Sequence, residues 1–474
     1  MISDHFQRYK PLIDDWDAFL EAVQRPLPTT IWANPLKTMP DQLQTMLAQH
    51  GIQLQPLAWY PGAFHFPADV QPGLRWEYLA GLYHVQEEVA LLPITLLDLQ
   101  PTDRVLDMCA APGNKTAQMS VLMQNQGTII ANDRNGGRMR AARQTFNRLG
   151  ILNVTMLTQD ASNLPRHIGQ FDKILADVPC TCEGTCRKEP SILDRASVAD
   201  NRKLARIQKA ILRKAVQRCR PGGRIVYATC TFAPEENELV VDEILQEYSQ
   251  FVRLRPIALP GFKYSVGITE WHGRHLHPSL QHTVRVWPHQ NDTGGFYIAL
   301  LEKIGSETAE DKPDTVANLY ADILEPQPWI EKVCGRFGME TAVFDAYTIL
   351  RWSNRGVWLI NKEHQPVTTP QPDSIGMMFM RTQGRYPKLT TSASRLLGQH
   401  ANKNMIDLNV EQTVAYINRQ EFVMLPEQTH LCTGTGYVLL RYRERPLGIG
   451  VYREHKNRVE SMFPKGWVRQ NVQL

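Results

Sequence analysis

Between Asp103 and Cys230 the chain repeats one pattern: a short apolar run, a break at small or acidic residues, then a longer amphipathic stretch. The runs are "DRVLDMC" (Asp103 to Cys109), "GTIIANDR" (Gly127 to Arg134), "NVTMLTQD" (Asn153 to Asp160), "FDKILADVPC" (Phe171 to Cys180) and "GGRIVYATC" (Gly222 to Cys230). "KTAQMSVLMQ" and "GRMRAARQTFNRLG" read as helices between the first three. Strands that alternate with helices must run parallel, because each return path is spent on a helix. The expected fold is α/β, a doubly wound parallel sheet. Such sheets bind ligands at the carboxyl ends of their strands. The chemically suggestive residues of this region sit at those ends.

With 474 residues the chain is too long for one core. Residues 1–75 read as a small helical and α/β region, with a strand in "TTIWANPLK" and a helix over "DQLQTMLAQHG" (Asp41 to Gly51). Residues 76–304 hold the alternation, and "TGGFYIALLEK" (Thr293 to Lys303) is expected as a late edge strand. A polar, proline-containing linker spans 305–319, and 320–474 is rich in short strands and turns. There, "GYVLLRYRERPLGIGVYRE" (Gly436 to Glu454) predicts a hairpin around Glu444-Arg445-Pro446. No apolar run approaches the roughly 20 residues that cross a bilayer. The N-terminus lacks the basic start and apolar stretch of a secretion signal, so a cytoplasmic protein is expected. Eight cysteines in so long a chain are no disulfide scaffold. A net charge of +4 permits nucleic-acid binding without requiring it.

In "LDMCAAPGNKT" (Leu106 to Thr116) a strand meets a turn of small residues, and a helix begins near Asn114. Small residues let a ligand approach the backbone, and the helix start offers free N–H groups. The turn is neither G-x-G-x-x-G nor a P-loop, since the first glycine of the latter is missing. The second run ends in Asn132-Asp133, about 20 residues on, where an acid can accept from a ribose diol. The third ends at Asp160 and the fourth at Asp177. Carboxylates at successive strand tips suit a cationic, polyhydroxylated ligand such as S-adenosylmethionine. The alternative is that some of them cap helices.

"ADVPCTCEGTCRK" (Ala176 to Lys188) puts Asp177 and Cys180 at the fourth tip, and "YATCT" puts Cys230 at the fifth. Neighbouring strands would bring these two thiols to one pocket. A rigid strand end, and the positive end of a helix after Pro234, would both favour a thiolate. Against this stand a core cysteine and a metal site, although C-x-C-x₃-C lacks the paired spacing of common zinc sites; no metal is expected. Beside a methyl donor, a thiolate that adds to cytosine C6 makes C5 nucleophilic. A carboxyl near N3, or one holding the methionine amino group, would assist, and Asp177 is placed for either.

Together "DMCAAPGNKT", "DVPCTCEGTCRK" and "GGRIVYATCTFAPEENE" resemble the RNA cytosine-5 methyltransferase family, the Nop2/NSUN group with the bacterial 16S ribosomal RNA methyltransferases B and F. The likeness covers roughly residues 1–304. It implies a Rossmann-like class I methyltransferase domain preceded by a small N-terminal α/β RNA-binding region. It implies S-adenosyl-L-methionine as cofactor, held by Cys109, Ala110, Ala111, Pro112, Gly113, Asn114 and Lys115. Asp133 then falls on the ribose, Asp160 on the adenine side, and Asp177 on the fourth-strand acid. Cys230 takes the place of the family's nucleophile, and Cys180 that of the cysteine aiding product release. The family usually has Ser-Gly after Pro-Cys; this chain has Thr181-Cys182.

The C-terminal region resembles the PUA-like RNA-binding modules of some members, through "GYVLLRYRERPLGIGVY" and "FPKGW"; a bare β-rich interaction domain competes. Arg441, Arg443, Arg445, Arg453, Lys456 and Arg458 are dense enough to suit a phosphate backbone, although such a run is more often a solvated face. On the expected helix Asn201 to Cys219, Arg202, Arg206, Lys209 and Arg213 share one face, which either lines the RNA approach or aids solubility. The reading is an S-adenosylmethionine-dependent enzyme making 5-methylcytosine in structured RNA, 16S ribosomal RNA first and tRNA second. It acts as a monomer without membrane or metal. The rivals are a methyltransferase for another base or for protein, and a non-catalytic RNA-binding or assembly factor.

Overall fold

A computed structural model describes residues 2–194, 197–305, 325, 327–353, 356–381, 387–469 and 471–474. The linker expected over 305–319 lies, from residue 306 on, outside the described residues. The centre is a mixed sheet whose main strands are β1 (Arg104–Asp107), β2 (Thr128–Asn132), β3 (Val154–Leu157), β4 (Phe171–Asp177), β5 (Cys219–Thr229), β6 (Val284–Val286) and β7 (Phe296–Lys303). Their order is β6-β7-β5-β4-β1-β2-β3, with β1 to β5 parallel and β7 antiparallel to both β5 and β6. The order reverses at β1, which lies between β2 and β4, and this opens the ligand crevice at their carboxyl ends. The expected edge strand is thus an interior one: β7 is inserted between β5 and β6, and its run Phe296 to Leu301 is buried throughout.

Helices α1 (Asn114–Leu122), α2 (Gly136–Leu149), α3 (Val198–Arg218) and α4 (Glu238–Glu247) cover the sheet. Successive side chains divide between its two faces. Val105, Ile129, Leu175 and Val226 enter one core, while Leu106, Ile130, Ile174 and Ile225 enter the other. Burial on both faces explains why these strands read as continuous apolar runs. Each such side chain contributes about 1.5–3 kcal/mol relative to exposure.

The N-terminal region forms its own four-stranded sheet from Thr29–Ala33, Gln55–Pro56, Ala63–Phe66 and Tyr83–Val85. Its last strand lies beyond residue 75. The first helical turns dock an aromatic cluster, Phe6, Tyr9 and Phe19, against Phe232 and Trp287 of the central domain. Phe232 and Trp287 stack with centroids 5.0 Å apart.

The C-terminal region holds two sheets. One runs through Tyr347–Ser353, Gly356–Asn361, Met377–Arg381 and Lys388–Leu389. The other contains the expected hairpin, Gly436–Tyr442 with Arg445–Arg453. Its turn is Arg443-Glu444, both at positive φ, so Arg445 and Pro446 already belong to the returning strand. Ser374–Ile375 pairs with β3 and extends the central sheet. Among the described residues no helix is long and apolar enough to cross a membrane.

Two buried histidines tie the flanking regions to the centre. His84 donates from Nε2 to Asn114 Oδ1 at 3.1 Å and accepts at Nδ1 from Arg148 at 2.7 Å. His364 pairs with Thr155 Oγ1 at 2.8 Å. Burial, then a nearby arginine charge, pushes both imidazoles from 6.5 down to about 3. In the unfolded chain each takes up a proton as pH falls through 6.5, whereas the folded protein stays neutral until about pH 3. Stability is therefore full above that window and declines as pH falls through it, by up to about 1.4 kcal/mol per pH unit for each histidine. Denaturant melts at pH 7 and pH 5 are expected to differ less for His364→Gln than for the parent chain. Equal pH slopes would contradict this.

Candidate functional site

The site grows from the paired tips of β4 and β5. Asp177 lies opposite Ala228, and the Val178 amide still donates to the Ala228 carbonyl at 3.1 Å. The chains then part, and two residues further on Cys180 and Cys230 bring their sulfurs to 3.4 Å. Cys182 adds a third sulfur, 3.7 Å from that of Cys180. All three cysteines are partly exposed.

Two buried carboxylates hold these loops. Glu236 accepts from the Thr181 amide (3.1 Å) and hydroxyl (2.6 Å), from Asn201 (2.7 Å) and from Gln208 (2.7 Å). Glu183 accepts from Tyr9 at 2.9 Å and from Thr231 at 2.9 Å. The hydroxyl oxygens of Thr181 and Thr231, neighbours of the reactive thiols, stand 2.8 Å apart. Gly184 donates to the Cys230 carbonyl at 2.9 Å, and a Cβ on it would stand 2.4 Å from the Gly295 carbonyl.

The electrostatics correct one expectation. Helix α4 begins at Glu238, beyond a turn through 234–237, and that acid pairs with the buried guanidinium of Arg285 at 2.6 Å. Asn237, just before the helix, accepts from Thr229 Oγ1 at 2.6 Å and donates to the Thr231 carbonyl at 3.0 Å, on either side of Cys230. Hydrogen bonds from Cys180 and then Cys230 pull the Cys182 pKa down, against burial. The neighbouring sulfurs and burial push Cys180 up. For Cys230, the bond from Cys180 lowers its pKa, but Cys182, burial and the charge of Asp177 outweigh it and the pKa rises. Cys230 thus rests as a thiol.

At the tips of β1 and β4 lies a cavity of about 190 Å³ lined by Asp107, Cys109, Ala110, Ala111, Pro112, Asn114, Lys115 and Asp177; none of the three thiols is in its lining. Gly113, at φ 100°, faces α2 instead, where a Cβ would stand 2.8 Å from that of Ala142. Lys115 bonds Asp177 at 2.8 Å. Burial disfavours its charge, yet the carboxylate outweighs burial and raises its pKa. Asp107 accepts from Thr116 at 2.6 Å through one oxygen, and its other oxygen is buried without a partner. Burial, opposed by Thr116, pushes Asp107 up to about 7. An orphaned carboxylate oxygen beside an ion pair and small side chains fits a cationic, amino-acid-bearing ligand.

Asp133 and Asp160 stand apart from this lining. Asp133 is buried and accepts from the Ala111 and Asn135 amides at 3.2 and 2.8 Å, which fixes the turn. Strand β3 ends at Leu157, so Asp160 is not its tip. It is exposed and caps the short turn at Ser162. Sequence reasoning missed Glu183, Glu236 and the cavity residues Gln86 and Glu87. The acids in "CEG" and "PEENE" were the only signal of Glu183 and Glu236, and "QEE" that of Gln86 and Glu87. A larger cavity of about 490 Å³, lined by Lys37, Tyr347 and Arg395, lies between the flanking regions and contains none of the strand-tip acids or thiols.

Half of the basic residues singled out in the sequence are ion-paired within the chain. Lys209 and Arg213 of α3 pair with Glu243 and Glu247 of α4 at 2.5 and 2.7 Å, whereas Arg202 and Arg206 are exposed. Arg441, Arg453 and Arg458 pair with Asp407, Glu460 and Glu421. Arg443 bonds His50, Arg445 bonds the Lys37 carbonyl, and Lys456 is exposed.

Comparison with known proteins gives three matches in chain order. Residues 3–88 match the N-terminal domain of 16S rRNA methyltransferase RsmF, 94–302 match 16S rRNA methyltransferase RsmB/F, and 403–469 match the methyltransferase RsmF PUA domain. Ribosomal RNA small subunit methyltransferase F of Aeromonas hydrophila is 28% identical over 99% of this chain and 98% of its own length. The tRNA (cytosine(49)-C(5))-methyltransferase of Pyrococcus abyssi is 36% identical over 63% of this chain and 94% of its own. The chain spans only 38% of the human 28S rRNA (cytosine(4447)-C(5))-methyltransferase, at 36% identity over 64% of itself. A methyltransferase homolog protein from Pyrococcus horikoshii superposes with a TM-score of 0.56 at 32% identity, over 63% of this chain and 93% of that one. With its centre and both flanks matched in order, this chain belongs to the RsmB/RsmF family of RNA cytosine-C5 methyltransferases.

Proposed function

We propose that the chain makes 5-methylcytosine in 16S ribosomal RNA, with S-adenosylmethionine as methyl donor and Cys230 as nucleophile. The observation that carries this reading is the 3.4 Å approach of the Cys180 and Cys230 sulfurs at adjacent strand tips. When bound, the cofactor supplies an electrophilic methyl group. Asp107, Lys115 and Asp177 would hold its charged end, and the alanines of the turn would admit the rest.

Cys230 must first surrender its proton. Its thiolate then forms a bond to C6 of the target base, and the C5–C6 electron pair becomes available at C5 for the methyl group. Solvent then takes the C5 proton, and the freed C–H electron pair re-forms the C5–C6 double bond and expels Cys230 as a thiolate. Cys180 lies 3.4 Å from the departing sulfur and keeps its own proton, so it is placed to exchange protons as the adduct breaks down. The Lys115–Asp177 pair gives a donor toward the polar edge of the base. The target must leave its stack to reach these groups, and the flanking regions would grip the surrounding RNA. One chain carries both thiols and the cavity, so a monomer suffices.

A second reading, tRNA, is favoured by the higher identity to the archaeal relative. Bisulfite sequencing of total RNA from cells with and without the gene separates them: a cytosine that loses protection in small-subunit rRNA supports the first, and one in tRNA the second.

Cys180→Ala is expected to accumulate a covalent RNA–protein adduct on a denaturing gel, and Cys230→Ala to form none. The reverse pattern would exchange the two roles. Asp177→Asn and Lys115→Met are each expected to lower kcat by about 10²–10⁴-fold. Single-turnover rates within a factor of about three of the parent, too small a loss for a group in proton transfer, would remove the pair from the chemistry.

A further inference from the structure

Methyl transfer as described above uses two thiols; the site has three. Cys180, Cys182 and Cys230 place their sulfurs within 4.8 Å of one another, with separations of 3.4 Å and 3.7 Å from Cys180. Zinc binds thiolate sulfur at about 2.3 Å in tetrahedral geometry, so two sulfurs on one ion stand about 3.8 Å apart. The cluster is already close to the edge lengths of a thiolate cage, and small side-chain rotations would complete it.

Its backbone is set in advance. Thr181, between two of the thiols, is pinned by Glu236 through both amide and hydroxyl. The Cys182 carbonyl accepts from the Thr185 amide and hydroxyl, both at 2.8 Å. The Cys230 carbonyl accepts from Gly184. Cys182 itself sits at φ 62°, a left-handed conformation that glycine adopts without cost. This chain thus holds a side chain in a backbone that favours none. What that side chain adds is a third sulfur. Cys186 is no part of the group: it is buried in the aromatic cluster behind the site.

We propose that Cys180, Cys182 and Cys230 form a thiophilic-metal site that captures zinc and reversibly silences the enzyme. The fourth position on the ion is left to water. The ligands come from two loops that the sheet brings together, which is why linear spacing does not betray them. Binding replaces each S–H still present by an S–Zn bond and releases that proton to solvent, so no oxidant or reductant is needed. With its sulfur on the metal, Cys230 has no free pair for C6. The silencing rests on the function proposed above; the metal site does not.

The full chain, reduced and free of metal, is titrated with Co²⁺ in the absence of oxygen. A thiolate-to-cobalt charge-transfer absorption should saturate at one ion per chain and vanish when Zn²⁺ is added. Cys182→Ser, and separately Cys182→Gly to relax the backbone, should weaken binding by at least about tenfold. In methylation assays, each variant is read against its own metal-free rate. Zinc should inhibit the parent chain, a chelator should restore it, and both Cys182 variants should need correspondingly more zinc. Absence of the charge-transfer band, or a band unchanged in both variants, would overturn the site. Inhibition reversed by a dithiol but not by a chelator would replace metal capture by disulfide formation. A normal band with no Cys230 adduct would instead count against the proposed chemistry and leave the site standing.

Discussion

Two buried carboxylates, Glu183 and Glu236, hold the site together. Neither lines the cavity, but the loops after β4 and β5 are bonded to them. Glu236 takes four donors from two segments, the loop at Thr181 and helix α3, and Glu183 joins the N-terminal Tyr9 to Thr231. A buried carboxylate with filled acceptor sites rigidifies its surroundings, whereas an unfilled one would be expelled or protonated. Burial already raises the Glu236 pKa against those bonds. The 3.4 Å sulfur contact is thus a consequence of polar packing one residue away. The docking of Phe6 and Tyr9 on Phe232 makes the N-terminal region part of the same support.

Much of the central domain was legible in the sequence because β1 to β5 are buried on both faces and each is followed by a helix or turn. The position of β7 was not, since an antiparallel strand inserted between two others has the same composition as one at an edge. Nor was Ser374–Ile375, which is too short to show periodicity. At the site, the tips carrying Asp107, Asp177, Cys180 and Cys230 could be inferred from where apolar runs stop. Asp160 could not be told from a cap, and it is one. Cys182 was invisible as a neighbour because the contact depends on a left-handed turn. Glu183 and Glu236 looked like surface acids because sequence does not show burial.

Charge was the least legible property. The partners of Arg441, Arg453 and Arg458 lie 34, 7 and 37 residues away in the chain, and the His50 partner of Arg443 lies 393 away. A basic run therefore became mostly internal pairing. In the thiol cluster the same limit applied to proton affinity. A single sulfur at a strand end invites a thiolate, but in this cluster the neighbouring groups lower the pKa of Cys182 and raise those of Cys180 and Cys230. Cys230 is protonated at rest, so its activation belongs to the encounter with RNA.

Attack by Cys230 on the base is the central claim, and trapping tests it most directly. RNA carrying 5-fluorocytidine at the target cannot lose a C5 proton, so the adduct persists in the parent enzyme. Peptide mapping of the trapped species should find the nucleotide on the peptide containing Cys230. The same mass on the peptide containing Cys180 and Cys182, or no trapped species with RNA that is otherwise methylated, would contradict the account.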